Sequence, residues 1–174
     1  MTAMAETRSC DAELKAAFPS IVQEDAVQGE FSHFLVSKDL LPTITRYLHT
    51  QPGFRGRLTL LWAIDNRPAR NTYKLHYLFT LESSCRWVLL STELAGDDRL
   101  FPSITPHVHA AQWYEREIRD MFGLIPQGHP DLRRLVRHEH WPKGTHPLKK
   151  DFLWEVFFFV WFLRFTGYPN SEFF

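Results

Sequence analysis

Residues 113–134, WYEREIRDMFGLIPQGHPDLRR, gather Glu115, Glu117, Asp120, His129 and Asp131 with Arg116, Arg119, Arg133 and Arg134. Two glutamates and a histidine could do general acid–base work, given a proton-transfer group tuned near the working pH. No nucleophile motif, phosphate loop or second tuned carboxylate accompanies them, which weakens that reading. A second reading is a solvated helical face: Glu115 and Arg119, and Arg116 and Asp120, are four apart and could pair along the surface. Such a pair is worth a few tenths of a kcal/mol. In a third, the arginines and carboxylates hold the loop that follows through forked hydrogen bonds. The residue pattern leaves all three open.

Histidine suggests metal chemistry. His107 and His109, and His138 and His140, are i, i+2 pairs that share no helical face, and zinc sites add a third or fourth close ligand. A free-standing histidine- or metal-dependent enzyme would have to draw on these four and His129. His76, alone in an apolar run, reads as a packed, hydrogen-bonded residue. Cys10 and Cys85 are the two thiols. An iron–sulfur cluster normally takes four, so this chain alone is expected to ligate none. Their number and spacing also argue against a disulfide framework and for a reducing compartment.

The elements that would position these groups follow from periodicity. Residues 11–18 predict a short helix stopped by Pro19. IVQEDAV and GEFSHFLVS predict two strands around Gly29. Apolar residues at 40, 41, 44, 47 and 48 predict a helix over 38–49, ended by QPGFRG. The runs 57–65, 73–82 and 85–94 predict three strands, the last two joined tightly at Ser83-Ser84. For the next helix, Thr105 is the expected cap, Pro106 the first residue and Gly123 the stop. This order predicts an α+β fold, a mixed or antiparallel sheet with helices on one face.

Beyond residue 123 the pattern changes. His129 precedes Pro130 and is biased to extended backbone, Gly128 can take a positive φ, and Asp131 can cap a short turn at DLRR. Over 129–150, Arg133, Arg134, Arg137, Lys143, Lys149 and Lys150 face only Asp131 and Glu139. An irregular stretch this long is usually functional or bound to something. The chain therefore divides into an α+β core over 1–123, an extended basic docking arm over 124–152 and an aromatic tail over 153–174. The tail is too short and too charged (Glu155, Arg164) to read as a membrane span of ~20 apolar residues. Docking on a membrane subunit, lying at the lipid interface and a translated frameshift all remain open for it.

Composition sets outer limits. The 174 residues are 44% hydrophobic and 23% charged, with twenty basic residues balancing twenty acidic ones. That suits one globular domain and provides no global field for nucleic acid or anionic lipid. The first residues lack the apolar stretch of a secretory signal.

Three blocks in order, FPSITPHVHAAQWYEREIRDMFGL, GHPDLRRL and HPLKKDF, resemble the 30-kDa subunit of respiratory complex I, the NADH dehydrogenase. They also resemble the corresponding N-terminal domain of formate-hydrogenlyase-type membrane-bound [NiFe] hydrogenase large subunits. The likeness covers roughly residues 11–152. Ile118-Arg119-Asp120-Met121 and the preceding TPHVHAAQW look like the hydrogenase branch, since quinone-linked members commonly carry an aromatic residue before that aspartate. GHPDLRR is closer to the complex I form; the balance favours the hydrogenase branch.

The resemblance implies a non-catalytic α+β assembly subunit of a membrane-associated redox complex, with no cofactor of its own. It would dock on a catalytic large subunit of the 49-kDa or [NiFe] type and on iron–sulfur subunits. Those partners would carry the iron–sulfur clusters and, in the hydrogenase branch, a nickel–iron centre. The chain would lie peripherally on the cytoplasmic side of the inner membrane. The motif positions carried into a docking role are Glu115, Arg116, Glu117, Arg119, Asp120, Phe122, Gly123, Gly128, His129, Pro130, Asp131, Arg133, Arg134, His146, Pro147, Lys150 and Asp151. In hydrogenase relatives this domain usually runs on into the nickel-binding domain, whereas here an unmatched aromatic tail follows Phe152.

Overall fold

The computed structural model describes residues 2–24, 31–139 and 141–155. The expected turn at Gly29, His140 and tail residues 156–174 lie outside them. Helix α1 spans Thr2–Ala17, earlier in its start than the expected residue 11. The Ala-, Met- and Glu-containing N-terminus has good helix propensity without the periodicity that would have revealed it. Strands β1 (Val22–Glu24) and β2 (Phe31–Leu35) follow. A single 3-10 turn (Lys38–Leu40) leads into α2 (Leu41–Thr50), which buries Leu41, Ile44 and Leu48.

The centre of the fold is a meander of β3 (Gly56–Asp65), β4 (Thr72–Leu81) and β5 (Arg86–Ala95). A four-residue helix, α3 (Arg67–Arg70), sits between the first two. The β4–β5 link is Glu82–Cys85 rather than two serines, with Cys85 at φ 51° closing it. Strand order is β1-β2-β5-β4-β3, with β2 and β5 parallel and the other neighbours antiparallel. The sheet is therefore mixed, in an α+β fold.

One face of this sheet carries Tyr73, Leu75, Tyr77, Phe79 and Leu81 from β4, all fully buried. Alternation along the strand sends these odd-numbered residues to one side. There they meet Leu58, Leu61 and Ala63 from β3, Leu90 and Leu94 from β5, and the apolar sides of α2 and the next helix. A bulge at Leu58/Leu60 frees the Thr59 carbonyl, which accepts the Tyr114 hydroxyl at 3.2 Å. That bond fixes the next helix on the edge strand.

That helix, α4, spans Ala111–Phe122 and starts later than Thr105-Pro106 suggests. Residues 104–108 form a separate turn, with the His107 and Val108 N–H groups on the Ile104 carbonyl. Thr105 does not cap α4, because its hydroxyl donates to Glu115. Gly123 ends the helix as expected, at φ 73°. Strand β7 (Ile125–Gln127) then pairs in parallel with β6 (Leu100–Pro102), so the first residues of the arm belong to a small second sheet.

Candidate functional site

The site is the seam between α4 and residues 128–151. Glu115 is fully buried. It accepts the Ser103 and Thr105 hydroxyls at 2.5 and 2.8 Å and the Ile104 N–H at 2.7 Å. Burial raises its pKa, and these donors offset only part of that effect. The expected pairing with Arg119 does not form: three donors from the preceding loop occupy the carboxylate. His129 lies against it, Nε2 3.9 Å from Glu115 Oε2. The imidazole Nδ1 accepts the Asp131 N–H at 3.0 Å, so the proton sits on Nε2 and is donated to the Gln112 carbonyl at 3.1 Å. Both nitrogens are engaged and the side chain is shut off from solvent. Glu115 and His129 are thus enclosed by groups of this chain, with no open face toward solvent.

Asp120 is the second buried carboxylate. Its Oδ2 accepts the N–H groups of Leu135, Val136 and Arg137 at 2.8, 3.0 and 3.3 Å, and Arg137 Nη2 stands 3.4 Å from Oδ1. Burial alone would raise its pKa; the three N–H groups and the guanidinium outweigh that and hold it below the usual range. Arg116 reaches over Asp120 to the same segment. Its Nε donates to the Arg133 carbonyl at 2.9 Å and its Nη2 to the Arg134 carbonyl at 3.0 Å, with Asp131 3.7 Å from Nη1. Arg119 donates to the Leu132 carbonyl at 2.6 Å. The i, i+4 pairing of Arg116 with Asp120 therefore gives way to bonds with the arm.

The arm is laced to itself in the same way. Asp131 accepts the Arg133 N–H and side chain, the turn expected there, although no helical turn follows. Arg134 donates to the His138, Glu139 and Trp141 carbonyls, and Arg137 to the Thr145 carbonyl at 2.6 Å. Of the two docking-role arginines that lie on the arm, Arg133 projects with 84% of its side chain exposed while Arg134 is engaged within the arm. Gly128 takes φ 82°, and Pro130 beside it is exposed.

The far end of the arm returns to the helix. His146 Nδ1 donates to the Asp120 carbonyl at 3.0 Å, and the Leu148 N–H to the Met121 carbonyl at 3.1 Å. These donors satisfy last-turn carbonyls that a helix leaves open. Pro147 sits half-buried between them, and Phe122 packs into the core. Beyond, the Lys150 N–H bonds Asp65 Oδ2 at 2.9 Å, and Arg67 bridges Asp65 and Asp151 at 2.7 and 2.8 Å. Asp65 and Arg67 escaped the sequence reading, because nothing local marks partners more than eighty positions away.

The three motif blocks thus converge on one seam, and comparison with known proteins assigns the family. The family described as respiratory-chain NADH dehydrogenase, 30 Kd subunit, matches residues 34–157. The chain belongs to this family.

Among relatives of this 30-kDa family member, Hydrogenase-4 component G of Escherichia coli K12 is 42% identical over 142 residues. Formate hydrogenlyase subunit 5 of the same organism is 38% identical over the same length. Each alignment covers 80% of this chain and 25% of the relative, so the chain spans about a quarter of their length. A subunit of the NADH-quinone oxidoreductase of Rhodobacter capsulatus is 35% identical over 76% of this chain and 65% of its own. A chain of the membrane-bound sulfane sulfur reductase, an archaeal respiratory membrane complex, superposes with a TM-score of 0.74. It is 16% identical over 95% of this chain and 94% of that one, a likeness that shows the fold.

In this family member His107 and His109 do not face one another. His107 lies beside the Pro42 carbonyl under α2, while exposed His109 lines a groove on the outer side of α4. Among the described residues no group of three or more His, Cys, Asp or Glu side chains is arranged to hold a metal ion. The Ser91 hydroxyl lies 2.7 Å from both His33 Nε2 and His76 Nδ1. Glu24 approaches that same His33 nitrogen at 3.4 Å, so it does not orient the ring from the other side as a nucleophilic triad requires.

Proposed function

We propose that this chain is a non-catalytic assembly subunit of a membrane-associated redox complex of the energy-converting [NiFe] hydrogenase or formate hydrogenlyase type. It docks on the catalytic large subunit. The observation that carries this reading is the engagement of Glu115, Arg116, Arg119, Asp120 and His129 in holding the arm. The acids and bases of the motif support a shaped surface. The higher identity to Hydrogenase-4 component G and Formate hydrogenlyase subunit 5 supports the branch. Iron–sulfur clusters and a nickel–iron centre then belong to the large subunit and iron–sulfur subunits, and this chain holds none.

The chain sits on the cytoplasmic side of the inner membrane through those partners. No helix among the described residues is long and apolar enough to cross a membrane. A second reading, the 30-kDa subunit of NADH:quinone oxidoreductase (complex I) itself, is favoured by the family match and the Rhodobacter relative. Gene deletion tests the role: native gels should lose the assembled complex, and the chain purified alone should carry neither metal nor turnover. Turnover by the isolated, metal-loaded chain would refute it. Nickel in the co-purified large subunit separates the two branches; an NADH-binding partner selects the second.

A further inference from the structure

The outer side of α4 is not a plain polar face. Trp113 is 68% exposed, leaving much of a large aromatic surface in water. With His109, Tyr114, Glu117 and Leu135 it lines an open groove of about 550 Å³ between helix and arm. Along the arm, Leu132, Leu135 and Val136 are 37%, 40% and 54% exposed, so the segment that supplies Leu135 holds further apolar side chains in water. Contiguous exposed apolar surface of this kind marks interaction sites, and tryptophan is the residue most enriched in their energetic centres.

Trp113 and Glu117 are four apart on α4 and stand side by side. Glu117 is exposed, and no ion pair or hydrogen bond engages its carboxylate among the described residues. The nearby cations are directed elsewhere: Arg116 and Arg119 are drawn to the arm's carbonyls by 2.6–3.0 Å hydrogen bonds. A single uncompensated carboxylate at the lip of an apolar groove sets the charge of what can fill it. Covering Glu117 without a cation would desolvate a charge for no return.

We infer that this groove receives a segment of a protein partner. That segment places an aliphatic or aromatic side chain against Trp113 and Leu135 and a lysine or arginine against Glu117. The inference rests on the docking role above and adds the surface and the chemistry it recognises. An acyl chain or a purely apolar helix would fill the groove and leave Glu117 unpaired.

The test places photo-reactive p-benzoylphenylalanine at position 113 of the tagged full chain in its native cells, and maps the cross-linked peptide by mass spectrometry. The expected product is one peptide of a partner subunit with a lysine or arginine within about a helical turn of the cross-linked residue. Glu117→Arg should lower its yield about tenfold or more, as reversal of a desolvated charge pair does. Reversing the partner's basic residue to glutamate should restore it. Both positions are exposed, so an unchanged unfolding temperature confirms that folding is intact. Cross-links confined to a second copy of this chain, to its own residues 156–174 or to lipid overturn the inference. So does no cross-link while the chain still brings down its partner subunits; that result leaves the docking role standing. If the unsubstituted chain brings down no partner subunit, the docking role itself fails.

Discussion

The Asp120 carboxylate and the Leu135 backbone N–H are 2.8 Å apart, and that bond begins a run of three that pins the arm to α4. Asp120→Ala would leave three N–H groups without their acceptor in a buried seam and take from Arg137 its carboxylate partner, with the Thr145 carbonyl remaining to it. Breaking a buried charge from its partners costs about 3–5 kcal/mol. Amide exchange over 132–138 should accelerate strongly in this variant while β4 and β5 stay protected.

The end of α4 makes a stereochemical prediction. A Cβ on Gly123 would meet His146 Nε2 at 2.6 Å, and φ 73° already disfavours any other residue. Gly123→Ala should destabilise by about 1–2 kcal/mol from backbone strain, with an added steric penalty. In a double-mutant cycle with His146→Ala the steric part should vanish and the backbone part remain, giving a non-additive pair in chemical denaturation.

Glu115 discriminates between a structural and a catalytic carboxylate. Glu115→Gln keeps an acceptor for the Ile104 N–H, and the Ser103 and Thr105 hydroxyls can rotate to accept the new amide. Glu115→Ala leaves those groups unpaired at a cost of about 1–3 kcal/mol for each. Thermal unfolding should therefore separate Ala from Gln, while activity per assembled complex stays unchanged in Gln.

Acid should act through His76. Burial first, then Lys74 and His33, lower its pKa to about 4, while Glu24 opposes them. The folded state holds it neutral beside Ser91 and stacked on Trp62 at 4.7 Å. With an unfolded pKa near 6.5, this contribution is complete above that pH and is lost as pH falls through about 4. It amounts to about 3 kcal/mol over the window. His76→Gln should flatten the stability profile between those limits; an unchanged acid limb would contradict the assignment.

Much of the architecture was legible because it is local. Apolar runs marked β3, β4 and β5, and Gly123 marked the end of α4, since a positive φ there has few alternatives. The start of α4 misled because Thr105-Pro106 has the form of a cap, and only the fold shows that Glu115 takes that hydroxyl. Spacing suggested the pairs Glu115–Arg119 and Arg116–Asp120, but spacing sees only the same helix. The partners that displaced those pairs are donors from residues 103–105 and 135–137 and backbone carbonyls of residues 132–134. The Asp65–Arg67–Asp151 bridge was out of reach for the same reason.

The most direct test of an assembly role compares complex abundance with activity per complex after Arg119→Ala and Arg133→Ala in the native host. The first removes a tie from helix to arm, and the second removes the arm's most exposed guanidinium. The assembled complex should fall severalfold on native gels, while turnover per remaining complex matches wild type. Normal assembly with collapsed turnover per complex would contradict that role and return the charged helix to chemistry.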